Sequence, residues 1–537
     1  MRQLQIQAKE LRAALAAGDP EAAARFQATL GRTSPGAAAR LSEAQHLLAR
    51  EYGCLNWAAL GEKVAAALDA SITEEQLERL RNIIRRGTPA QLHQILREHP
   101  ALVPRINKPL FAFGSPPLRE AVAQGNRAMV DALLDAGADI NARSDWAPGS
   151  FGVLDNLANT NADSDETAEH KALVDYLIAR GATVDIHAAA GNGKIDRVRE
   201  LLDINPALAN ARGGDGAGPL HFAGTVEIAE LLLERGACVA MRDLDHHSTA
   251  AMWQVKNKEI LYRIIEAGSA IDIYMAARHG DRALADRALA EDPHCLDSTV
   301  GHQPGQGNYA PAEGSGGNIY NWTLGHGARP IPIADKFHHR ELADYLLTRA
   351  TPSQQIIALA IRGDKEAAQA VIAAHPDVFQ HFTENDKLAL PQAIHFGDTK
   401  AATLMIELGF PLDVPHLFDG GTPIHAAAWH GQAAIVRALA ALRPQWLTNH
   451  ANAHNSTPLG WACHGSLHSW FRDNGDYPAT VQALLDTGIP LATLGAADVE
   501  DIVKWGAEPV TQLLRHHAAT HPTNPPQAPL QTPATTP

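Results

Sequence analysis

Apolar residues in this chain recur at helical rather than strand spacing. From Leu4 to Ala17 and from Pro20 to Leu30 they fall three and four positions apart, which predicts two amphipathic helices split by a Gly18-Asp19-Pro20 turn. A third helix is predicted from Ser42 to Tyr52, with Ala44, Leu47, Leu48 and Tyr52 on one face and Trp57 and Leu60 after it. Residues 1–68 thus read as an N-terminal helical cap. The segment is short for an independent core and is expected to dock on the first repeat, since repeat arrays need polar-faced ends.

From Thr73 to Arg515 the pattern becomes one of paired helices. Its clearest unit is Gly421–Leu442, GTPIHAAAWHGQAAIVRALAAL, which reads as turn, helix start, short helix, Gly and second apolar helix. Pro117–Asn141, Pro219–Val239 and Thr457–Leu485 have the same order, and the units starting at Asp185 and Asp272 align without a gap. A period of ~33 residues implies a stacked array of about eleven helix pairs, because one pair cannot bury its apolar face alone. The fold class is all-α. Pro117, Pro219, Pro423 and Pro458 suit a first helical turn, where no N–H is needed. Gly125, Gly193, Gly280, Gly363, Gly397 and Gly431 fall where the first helix must end in a left-handed residue. The Pro219 unit lacks roughly one turn of helix, so its first helix should be short.

Three insertions interrupt the array, near 160–170, at 301–328 and at 466–476. The second is Gly-rich, GHQPGQGNYAPAEGSGGNIYNWTLGHGA, and long loops of this kind more often serve function than not. Residues 516–537 are Pro/Thr-rich with few large apolar side chains, and disorder is expected there.

The TPIHAAAWHG and PLREAVAQG grammar resembles the ankyrin-repeat superfamily. Leu48–Leu60 (LAREYGCLNWAAL), Asn318–Gly325 (NIYNWTLG) and Thr457–Trp470 (TPLGWACHGSLHSW) resemble segments of multi-repeat bacterial ankyrin proteins. The resemblance implies a right-handed stack of repeats, protein–protein contacts, and no catalytic residue to carry over. It also implies that His221 and His425 bond backbone between repeats. Arg119 and Gly460 stand where that His is usual, so inter-repeat bonding should be weaker at those two places.

Charge and chemistry narrow the function. The formal net charge of −15 is spread along the chain, which argues against a nucleic-acid partner. No run reaches the ~20 apolar residues of a membrane span. The four cysteines form no CxxC pair, so a reducing, cytoplasmic setting is expected. No nucleophile elbow, P-loop or dinucleotide fingerprint is present, and no cofactor is expected. His464 and His468 have ligand spacing, but Gly465 and Ser466 are expected to interrupt their helix, and no metal is assigned.

The two positions before each inter-helix Gly should face the concave surface. In the early repeats they are small or polar (Ala123/Gln124, Gly191/Asn192), and later they are Arg278/His279, Ile361/Arg362, His395/Phe396 and Trp429/His430, with Lys336/Phe337 at the aligned place before His338. Trp461 and His464 continue this His/aromatic stripe. Tyr320 and Trp322, in the insertion, are expected to pack back over Trp429 and Phe396. The leading expectation is a non-enzymatic scaffold gripping a protein or peptide on its concave face. The alternative is an enzyme or small-molecule sensor, with the stripe as its pocket and 301–328 as its lid.

Overall fold

The computed structural model describes residues 1–147, 149–155, 168–301, 318–415, 420–450, 452–495 and 499–521. Among them every regular element is a helix, and backbone pairing of the strand type is confined to the single bridges Phe111–Ser115 and Arg242–Thr249. The chain forms two compact units, Met1–Leu201 with Gly213–Asp215, and Leu202–Arg212 with Gly216–Pro537. The periodicity does not announce this division, which falls inside the repeats.

In the first unit, helices Arg2–Ala16, Pro20–Leu30 and Leu41–Glu51 close a small core of their own around the fully buried Leu15, Phe26 and Leu47. The expectation that this segment is too short for a core is therefore corrected. Tyr52 is half exposed rather than part of the apolar face, because the helix ends at Glu51. A separate apolar cluster begins at Leu80 and runs through Pro117–Ala123 and Arg127–Asp135. Here Asn126 caps the second helix by accepting from the Met129 N–H at 3.1 Å. Arg119 is also a correction. Its Nε donates to the Gly152 carbonyl at 3.1 Å, Nη1 donates to the Ser115 hydroxyl at 2.9 Å, and the guanidinium lies over Phe151. The longer side chain thus ties neighbouring turns together where an imidazole was expected.

In the second unit the Pro219 helix is one short 3₁₀ turn, Pro219–Phe222, as the missing residues predict. Later repeats are regular, and their common apolar cluster extends from Ile356 to Leu514. All six predicted inter-helix glycines, in both units, have φ between +65° and +82°, a conformation open to Gly at little cost. The insertion at 301–328 is pinned at its base, where the Val300 N–H donates to the Ala328 carbonyl at 3.0 Å and the Gly327 N–H to the Val300 carbonyl at 2.9 Å. Its residues 302–317 lie outside the described residues, as does the insertion near 160–167. The chain end also differs from expectation. Residues 516–520 complete a helix, Glu508–Thr520, whose Val510 and Leu514 are buried, so the disorder expected there does not begin at 516. The remainder, 522–537, lies outside the described residues.

Candidate functional site

The last repeats bring three indoles to one cavity. Trp429 ends helix Pro423–Trp429, Trp461 sits in the first turns of Pro458–His468, and Trp505 comes just after helix Val499–Val503. The middle helix packs against both others. The cavity has a volume of about 680 Å³, with His454, His464, Ser456, Gly460, Gly495 and Asp501 completing its wall. Trp429 and Trp461 centroids lie 6.2 Å apart with planes at 77°, and Trp429 and His464 lie 5.4 Å apart at 51°. His464 and Trp505 meet at 79°, and His454 and Trp461 at 69°. Rings at such angles form walls rather than a stack. Trp461 is buried, Trp429 is half-buried, and Trp505 is 57% exposed, so the cavity opens on the Trp505 side.

The opening has a local cause. In the preceding repeat the Thr422 N–H donates to His425 Nδ1 at 3.2 Å, and Nε2 lies 3.0 Å from the Asn449 carbonyl oxygen. His221 does the same with the Gly218 N–H and the Ser248 carbonyl. At the corresponding place the next repeat has Gly460, and the volume a ring would take becomes part of the cavity. Gly495 continues the same bare wall. Burial lowers the His464 pKa, with His468 and His454 adding to the effect, which disfavours its charged form. Helix Pro458–His468 runs unbroken through Gly465 and Ser466, against expectation, and brings His464 and His468 to 4.3 Å between ring centroids. Two imidazoles alone make no closed metal site.

Residues 113–145 match the family model for the ankyrin repeat. The chain contains an ankyrin repeat. It is 32% identical over 140 residues to ankyrin repeat and SAM domain-containing protein 6 of Rattus norvegicus, and 33% identical over 114 residues to the same-named protein of Mus musculus. Those alignments take in 23% and 20% of this chain but only 16% and 13% of the relatives. As a class, ankyrin repeats act in protein–protein interaction.

Within this ankyrin array the predicted stripe divides. His395 and His430 are buried, not exposed on a surface. They sit 5.3 Å apart in a second aromatic group with Trp470 and Phe471, and His430 Nδ1 lies 3.1 Å from the Ser469 hydroxyl. Phe396 remains 41% exposed and stacks on His326. Arg278 lies 3.8 Å above the Phe337 ring, and His279 Nε2 is 2.8 Å from the Val255 carbonyl oxygen. Lys336 Nζ donates to the Leu324 carbonyl at 3.0 Å. Arg278, Phe337 and His279 link neighbouring repeats, while Lys336 ties its helix to the 301–328 insertion.

The insertion's aromatics are a clear correction. Tyr320 is fully buried, donates to Asp272 at 2.7 Å and packs on Tyr274, so it covers neither Trp429 nor Phe396. Its hydroxyl satisfies a buried carboxylate, a contact that outweighs any lid role. Trp322 is 57% exposed. Sequence reasoning missed Trp505, Trp470 and Phe471. The one available signal was a large aromatic at a helix end, Trp505 between Lys504 and Gly506.

Proposed function

We propose that this protein is a non-enzymatic scaffold that captures a protein or peptide, and that the Trp429–Trp461–Trp505 cavity is where it grips. The reading rests on one observation, an open three-indole cavity at the end of the array with Trp505 largely exposed. Tryptophan is enriched among the residues that dominate binding energy, at about 2 kcal/mol or more for a true anchor. A reducing, cytoplasmic setting suits the four free cysteines. No described helix is long and apolar enough to cross a membrane. The cavity's volume also falls in the range of small-molecule sites, which keeps a sensor as the second reading.

The test is selection of peptides from a displayed library on the full chain. Trp429→Ala and Trp505→Ala should each weaken the selected peptide about tenfold or more, with the circular dichroism spectrum unchanged. Undiminished binding by both variants removes the cavity as the site.

A further inference from the structure

We propose that the group received by the three-indole cavity is an organic cation, the guanidinium of an arginine or the ammonium of a lysine carried on a partner polypeptide. The inference rests on the reading of the cavity as a binding site and adds the chemistry of its occupant.

Ring geometry comes first. The indole and imidazole planes around the cavity stand at 51° to 79° to one another. Such walls surround a compact group from several sides, whereas a flat aromatic ligand needs a parallel surface to stack on. An indole face carries negative quadrupole density, and Trp is the strongest of the aromatic side chains in holding a cation within ~6 Å of its centroid.

Charge points the same way. Asp501 is the sole Asp, Glu, Lys or Arg among the described lining residues, and it is exposed at the rim. Its Oδ1 accepts from Lys504 Nζ at 2.5 Å, so an arriving cation shares or replaces an existing partner. No Lys or Arg is among the described lining residues, which leaves an anionic ligand without a counter-charge. Burial and the neighbouring His468 and His454 disfavour the charged form of His464, which reduces its repulsion of a cation. The Ser456 and Asn455 side-chain oxygens add acceptors at the wall, and guanidinium and ammonium groups only donate. At longer range the net charge of −15 favours encounter with a basic partner.

The experiment is calorimetry and tryptophan fluorescence on the full chain with a set of short blocked peptides, Gly-Ser-X-Ser-Gly. X is arginine, lysine, trimethyllysine, citrulline, norleucine or glutamate. The cationic peptides should bind about tenfold more tightly than citrulline or norleucine. Trp505→Phe should keep most of that preference and Trp505→Leu should lose it, since leucine retains apolar area without a quadrupole. Asp501→Asn should weaken binding about threefold and flatten its dependence on salt.

A free blocked arginine binding as tightly as the arginine peptide assigns the same chemistry to a small molecule and overturns the polypeptide half of the proposal. Norleucine binding as well as arginine overturns the cation while keeping the cavity as a site, provided Trp505→Ala abolishes it. If no peptide of the set binds at millimolar concentration, the cation proposal fails. If, in addition, library-selected peptides ignore Trp429→Ala and Trp505→Ala, the site itself fails.

Discussion

His425 and Gly460 occupy the same place in successive repeats. The imidazole of the first reaches the Asn449 carbonyl at 3.0 Å, while the bare backbone of the second forms cavity wall. One residue type therefore decides whether that space is structural or available. Gly460→His should fill it. A Cβ there meets the Ser456 hydroxyl, which can rotate aside, and Thr457 (φ −75°, ψ 167°) has nearly the backbone angles of Thr422 (φ −73°, ψ 165°), whose N–H bonds His425. Replacing a helical Gly and adding a backbone bond should together stabilise the protein by about 1–2 kcal/mol. Peptide capture at the cavity should be lost. Thermal melting with a binding titration checks both, and a variant that still binds normally contradicts the assignment.

Arg329 and Asp386 form a buried ion pair in the second unit at 3.1 Å, with side chains 2% and 4% exposed. Gln354 bonds both partners, and Arg329 Nη2 donates to the Asn385 carbonyl at 2.6 Å. Removing either charge strands the other away from water. Arg329→Met or Asp386→Leu alone should cost about 3–5 kcal/mol in urea unfolding, and the two together much less than the sum. Additive losses would show that the pair is not coupled.

His221 is wholly buried, and burial pushes its pKa down to about 4 against an ordinary 6.5. Its folded form is neutral, so the unfolded chain binds the extra proton between those values. Its stabilising effect is complete above pH 6.5 and declines as pH falls toward 4. Asp272 works in the opposite sense, since burial raises its carboxyl to about 6 and protonation then favours the fold. A His221→Gln variant isolates the histidine. Across this window the slope of its unfolding free energy against pH should be less positive than the parent's, by at most about 1.4 kcal/mol per unit. Parallel pH profiles would count against the buried neutral ring.

Cysteine reactivity offers a simple probe of the packing. Cys238 is exposed, whereas burial raises Cys295 and Cys463 to about 12 and leaves little thiolate at neutral pH. A thiol reagent should modify Cys238 quickly in the native protein and the buried residues only in denaturant. Rapid native labelling of Cys463, whose helix carries Trp461 and His464, would mean that this end of the array opens readily.

Helix pairing, the short Pro219 turn and all six left-handed glycines were legible in the chain because each depends on neighbours within a few residues. A Pro at a first turn, a Gly at a helix end and an apolar stripe act locally. The site was only half legible. Trp429, Trp461 and His464 lay on or beside the predicted face, but the same reasoning also selected His395 and His430, which are buried, and the insertion's Tyr320 is buried as well. Helical phase says which way a side chain leaves its helix and not what stands opposite it.

The sequence by itself thus determined an all-α array of ankyrin repeats, since local hydrogen-bonding and steric rules leave its segments few alternatives. Only the tertiary structure decided that the chain divides into two units, that Tyr320 satisfies Asp272, and that Trp505 joins Trp429 and Trp461 around the space Gly460 leaves. Burial and cavities arise where side chains far apart in sequence meet. Whether such a meeting is filled or open depends on the summed volume of every residue around it.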